Sequence, residues 1–92
     1  MRITVQFSAQ LRAAAGCAAR TIDAAEGTTA QEVIREVAAH HGDDLRSLLL
    51  DAAGALQPSV LVFAGGEQVL WETPAPLRAD QTLYLTTPIA GG

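Results

Sequence analysis

Apolar and polar residues alternate along both ends of this chain, and between them apolar residues recur at helical spacing. At the start, Ile3, Val5 and Phe7 fall on one face and Thr4 and Gln6 on the other, which predicts a strand with one buried side. Ser8 to Gly16 is rich in small residues and reads as a connection with room for a helical turn, closed by Gly16. Arg20 to Ala25 alternates again with Ile22 and Ala24 inward, and so short a connection pairs the two strands antiparallel. The best-marked element follows. Thr29 and Glu32 fit a capping box; Val33, Ile34, Val37 and Ala38 form an apolar stripe; Gln31, Glu32, Arg35 and Glu36 form the wet face. Gly42 supplies a left-handed stop, and a shorter helix runs from Asp43 or Asp44 as cap through Leu45, Leu48 and Leu49.

After a loop from Asp51 to Pro58, the run Val60–Ala64 has strand length and no polar member. It predicts a strand buried on both faces or central in its sheet. Gly65-Gly66 suits a tight hairpin turn, with Gln68–Trp71 as the return strand. Pro74 and Pro76 break the chain, Leu77 is placed to plug the core, and Asp80 turns into a last strand with Leu83 and Leu85 inward and Thr82, Tyr84 and Thr86 outward. The order β-β-α-α-β-β-β predicts an α+β roll, its strands packed on one main helix plus a short one.

The length of 92 residues allows a single domain, 1–92, with one modest core. With 49% apolar and 17% charged residues the chain is an ordinary globular protein, and with 4% aromatic residues its core is aliphatic. The net charge of −4 and the absence of any basic run argue against nucleic acid or anionic membrane partners. All six basic residues are arginine, so the side chains offer no amine to an activated carboxyl group. One cysteine excludes an internal disulfide, and no apolar stretch has the length of a leader or a membrane span, which makes the cytoplasm the expected location.

The sequence closes on Pro88-Ile89-Ala90-Gly91-Gly92. Proline cannot donate to a ladder and holds Thr87 extended, so a strand ending there leaves a flexible tail over 88–92 with an α-carboxylate on Gly92. Glycine lacks a Cβ and can thread a channel too narrow for other residues. A frayed end would carry polar residues between the last element and the terminus; here the strand and proline lead straight into it.

These stretches together resemble the MoaD/ThiS family of ubiquitin-like β-grasp sulfur carriers. Phe7-Ser8-Ala9-Gln10-Leu11-Arg12 followed by Gly16 is similar to the MoaD opening. Thr29–Val37 matches the family's capped helix, and Leu77, Asp80, Leu83–Leu85 and Pro88–Gly92 match its closing pattern. The chain departs from the pattern at Ala64-Gly65-Gly66, where an Asn-Gly turn is common, at Ala79-Asp80-Gln81, where Asp-Gly-Asp is usual, and in the longer loop 51–58. The resemblance implies a β-grasp fold, with a mixed sheet of about five strands, and a carrier without catalytic groups or a bound cofactor of its own. An E1-like enzyme would use ATP to adenylate Gly92, and sulfide or a persulfide would displace AMP to leave a thiocarboxylate. Pro88, Ile89, Ala90 and Gly91 would enter the partner's channel. The acceptor it implies first is the large subunit of molybdopterin synthase, in molybdenum cofactor biosynthesis. The alternatives are a carrier for cysteine, thiamine or specialised-metabolite synthesis, a ubiquitin-like protein modifier, and an interaction module whose tail does nothing.

Phe63, Leu70, Trp71 and Tyr84 are candidates for a docking surface, although Leu70 and Trp71 equally fit core packing. Cys17 reads as a small apolar turn residue rather than a sulfur relay. His40 and His41 near Asp43 and Asp44 are poorly arranged for a metal, because adjacent helical residues point about a quarter-turn apart. Asp51, Glu26, Glu32 and Glu36 read as solvated faces, and neither a Ser-His-Asp set nor a phosphate-binding glycine loop is present.

Overall fold

The computed structural model describes residues 1–8 and 10–87. The elements in order are β1 (Arg2–Phe7), α1 (Gln10–Ala15), β2 (Ala19–Asp23), α2 (Ala30–His40), α3 (Asp43–Leu49), β3 (Leu61–Ala64), β4 (Glu67–Gln68) and β5 (Thr82–Thr86). They build one mixed sheet in the order β2-β1-β5-β3-β4. The last strand lies in the middle, parallel to β1 and antiparallel to β3. Ile3, Val5, Phe7, Val62, Leu83 and Leu85 point from the sheet into the core, where Val33, Ile34 and Val37 of α2, Leu45 and Leu49 of α3 and Leu11 of α1 meet them. Leu77 is buried among them, as its apolar character among prolines predicts.

The capped helix forms as its sequence dictates. The Glu32 amide donates to Thr29 Oγ1 at 3.2 Å and the Thr29 amide donates to Glu32 Oε1 at 3.0 Å, so two first-turn N–H groups are satisfied reciprocally. The alternating strands and the antiparallel β1–β2 pair also match their patterns, with β2 running over Ala19–Asp23 rather than Arg20–Ala25. At the hairpin, Gly65 and Gly66 both take positive φ, 58° and 84°, which a two-residue turn between right-twisted strands requires. Asp80 takes φ 63° to enter β5.

Several elements differ from the reading of the sequence. Part of the Ser8–Gly16 stretch winds into α1, because Leu11 is fully buried and anchors a helix that its alanines favour. Gln31 belongs to the buried side of α2, not the wet face, since the loop 70–75 folds over it. Gly42 has φ 90° but ψ 173°, so it is no left-handed helical stop. It extends the chain between two helices and is itself the N-cap of α3, which leaves Asp43 and Asp44 inside the first turn, where carboxylates complement the helix dipole. β3 buries one face only, and it is the fourth strand of the sheet, bonded to β5 on one side and to β4 on the other. The return strand stops after Gln68: Val69 still donates to the Val62 carbonyl at 2.8 Å, and the chain then turns away at Leu70. Asp51 is half-buried and shapes its loop by accepting the amides of Ala53 and Ala55, at 2.9 and 3.0 Å, instead of lying on a solvated face.

Candidate functional site

Because β5 is central, both its edges are bonded, and the last described residue, Thr87, is buried at the end of the sheet. The Ser8 amide donates to the Leu85 carbonyl at 3.1 Å, and Ser8 Oγ donates to Thr86 Oγ1 at 2.6 Å. The chain therefore reaches residue 87 from a fixed root. Pro88, Ile89, Ala90, Gly91 and Gly92, and with them the expected tail and its terminal carboxylate, lie outside the described residues.

The three helices pack on one face of the sheet, and among the described residues no element covers the other, open face. Alternation places Thr4, Gln6, Thr82, Tyr84, Thr86, Leu61 and Phe63 on this open face. Register aligns Gln6, Tyr84, Phe63 and Gln68 in one row across four strands. Within it the Tyr84 and Phe63 rings stand 6.5 Å apart at 41°, an aromatic pair beside two uncharged amides. Tyr84 is exposed and Phe63 half-buried. The next row aligns Leu61 with Thr86, and the described residues of these two rows include no carboxylate or guanidinium group.

Leu70 and Trp71 lie elsewhere, in the turn after β4. Leu70 is 59% exposed and lines a groove of about 410 Å³ between the β3–β4 hairpin and the segment 73–81. Trp71 is half-buried against the margin of the core, with the Arg35 guanidinium 5.1 Å above its ring. Arg35 Nε also donates to the Gly54 carbonyl at 3.4 Å, so one arginine joins α2, the loop 51–58 and the tryptophan. The four candidate docking residues thus divide into an open-face pair and a turn pair.

Gln31 is the residue that the sequence did not single out. Its Nε2 donates to the carbonyls of Leu70, Trp71 and Thr73 at 3.2, 3.2 and 2.8 Å, and its Oε1 accepts the Ala75 amide at 3.2 Å. A glutamine in the first turn of a helix carries no signal that would find this. Cys17 is a free, half-buried thiol packed at the edge of the core. His41 lies edge-on to Phe7 at 5.9 Å, its Nε2 buried without a hydrogen-bond partner. Among the described residues no group of three or more His, Cys, Asp and Glu side chains could hold a metal. No described helix is long and apolar enough to cross a membrane.

This arrangement, a five-strand mixed sheet with its last strand central and a capped helix across one face, is the ubiquitin-like β-grasp fold. The structure is similar to SAMP1 from Haloferax volcanii, with 22% identity, 100% of both chains covered and a TM-score of 0.89. It is similar to a putative molybdopterin converting factor, subunit 1, from Pyrococcus furiosus, with 18% identity, 97% of this chain and 99% of that one covered and a TM-score of 0.73. A chain of the Amycolatopsis orientalis BexX/CysO complex is 24% identical, with 98% and 99% covered and a TM-score of 0.72. No protein-family model and no curated protein matches the sequence. The resemblance to ubiquitin-like carriers read from the sequence is thereby borne out at the level of the fold.

Proposed function

We propose that this protein is a sulfur carrier whose reactive group is the carboxylate of Gly92. The observation that carries the reading is the junction of fold and sequence: the central strand of a β-grasp sheet runs at Thr87 into Pro-Ile-Ala-Gly-Gly. A carboxylate is a poor electrophile. An E1-like enzyme would let the Gly92 oxygen attack the α-phosphorus of ATP, releasing pyrophosphate and forming an acyl-adenylate. Hydrosulfide then attacks the carbonyl carbon and expels AMP, leaving a thiocarboxylate whose sulfur is nucleophilic. An acceptor enzyme takes that sulfur, and hydrolysis returns the carboxylate. The carrier contributes no catalytic side chain in this scheme. It contributes a docking face, with Phe63 and Tyr84 at its centre, and a tail, Pro88 to Gly91, whose last residues, Ala90 and Gly91, are small enough for a narrow channel. The likeness to the molybdopterin converting factor subunit supports a molybdopterin synthase large subunit as the acceptor, and the likeness to a chain of the BexX/CysO complex supports a different partner enzyme.

A second reading is favoured by the likeness to SAMP1, a small archaeal modifier protein. In that case the activated carboxyl group of Gly92 passes to a lysine amine on another protein. The intact mass of the protein, measured after incubation with ATP, sulfide and the E1-like enzyme of the same cell, tests the carrier reading. The expected shift corresponds to one oxygen replaced by sulfur and disappears when Gly92 is deleted. An unshifted mass with an active E1-like enzyme refutes the carrier, and glycyl-lysine conjugates recovered from cells establish the modifier.

A further inference from the structure

The sheet ends on one side at β2, and the hydrogen-bond parity of that strand is fixed by its neighbours. Ala24 and Met1 exchange both backbone bonds across the β1–β2 ladder, and the Phe7 amide donates to the Ala18 carbonyl. In an antiparallel ladder bonded and non-bonded pairs alternate, so Arg20 and Ile22 also bond to β1. The N–H and C=O groups of Ala19, Thr21 and Asp23 therefore face away from the sheet. No proline, lysine or bulge protects this edge.

On the helix side of the same edge lies a groove of about 260 Å³ lined by Arg20, Ile22, Glu36, Val37 and His40. Its floor is apolar, from Ile22 and Val37, and its charges are of opposite sign. Among the described residues neither Arg20 nor Glu36 has an ion-pair partner within the chain. An inward-pointing charge on an edge strand normally discourages pairing. Arg20 does so against any incoming strand that brings no carboxylate to meet it.

A second copy of this chain brings one. We infer that β2 is a self-complementary edge, and that two copies pair their β2 strands antiparallel about a two-fold axis at Thr21. That register sets Thr21 against Thr21 and Ala19 against Asp23, all residues with outward-facing groups, so every free N–H and C=O of both edges is bonded. It sets Arg20 of each copy opposite Ile22 of the other, over the groove that Glu36 lines, where its stem covers Ile22 and Val37 and its guanidinium meets the carboxylate. No like charges stand opposite one another, because Asp23 faces Ala19. The result is one continuous ten-strand sheet whose open faces, with the Phe63–Tyr84 pairs, remain free on the same side.

Sedimentation velocity over a concentration series tests this, with amide exchange read at Ala19, Thr21 and Asp23. The wild-type protein is expected to move from monomer to dimer as concentration rises, with slower exchange at those three amides. Thr21→Pro removes an N–H that serves no bond within the chain, so it leaves the fold intact and abolishes the dimer. Arg20→Glu lowers the self-affinity by about tenfold by opposing two carboxylates, and adding Glu36→Arg restores it. Circular dichroism confirms that each variant is folded. A folded wild-type protein that stays monomeric at its highest soluble concentration overturns the inference and leaves the edge to a segment of another protein. A dimer indifferent to Thr21→Pro overturns it too, as does one that charge reversal does not weaken or the double exchange does not restore.

Discussion

Replacing Gln31 with leucine tests whether one buried side chain holds the segment 70–75 to the helix. Leucine keeps the volume and the helix propensity, so the change isolates the polar contacts. The carboxamide offers two N–H donors, which three carbonyls share, and one acceptor, which takes the Ala75 amide. Counting three full hydrogen bonds at a net ~1 kcal/mol each gives about 3 kcal/mol. Glu72, Thr73 and Pro74 are exposed, so the freed carbonyls can rehydrate in part, and about 2 kcal/mol is the better figure. In a domain of this size that lowers Tm by about 8–15 °C. Equilibrium unfolding in urea measures the loss. Exchange of the Ala75 amide separates a local from a global effect, since 2 kcal/mol of local opening corresponds to about thirty-fold faster exchange. A stability within about 0.5 kcal/mol of the wild type, with exchange at Ala75 unchanged, would refute the argument, because such values are typical of surface substitutions.

Three further outcomes follow from the geometry. Thr29→Ala removes the oxygen that accepts the Glu32 amide and is expected to cost about 1 kcal/mol in urea unfolding. Asp80→Val places a β-branched residue at φ 63° and is expected to cost about 1–2 kcal/mol, whereas Asp80→Gly is expected to be close to neutral. Phe63→Ala and Tyr84→Ala, at half-buried and exposed positions on the open face, should each change stability by under about 1.5 kcal/mol and yet, on the proposed carrier reading, weaken calorimetrically measured binding to an E1-like activating enzyme by about tenfold or more.

How much of this was legible in the sequence depended on whether a residue's environment is made locally. The capping box at Thr29 and Glu32, the alternation of Leu83 and Leu85 and the turn at Gly65-Gly66 are local devices, and each formed as its spacing predicts. The roles that escaped were set by distant segments. Gln31 became buried because residues some forty positions later fold over it. β4 shortened because the chain at Leu70 leaves the sheet to reach Gln31 and the core margin. α1 was legible only as room for a helical turn, because one fully buried leucine among small residues gives no periodicity to count. For the candidate site, the outward position of Tyr84 followed from alternation, whereas its pairing with Phe63 needed the register of β3 on β5.

The placement of the last strand connects the fold to the chemistry proposed for the chain's end. A strand at the edge of a sheet is bonded on one side and can peel away, and its terminal residues then fray. β5 is bonded on both sides, its Leu83 and Leu85 are fully buried, and Ser8 fastens its end through both its amide and its hydroxyl. Peeling it would break two ladders and open the core, so its free energy of opening approaches that of global unfolding. A docked partner that grips the open face at Phe63 and Tyr84 therefore fixes the position of Thr87 as well. On the proposed carrier reading, the distance left to its reacting centre falls to the five residues from Pro88 to Gly92, whose fully extended length is at most about 18 Å. On that reading, a partner whose nucleotide or acceptor site lies farther than that from the point where it holds Thr87 cannot be served by this tail, whatever its affinity for the face.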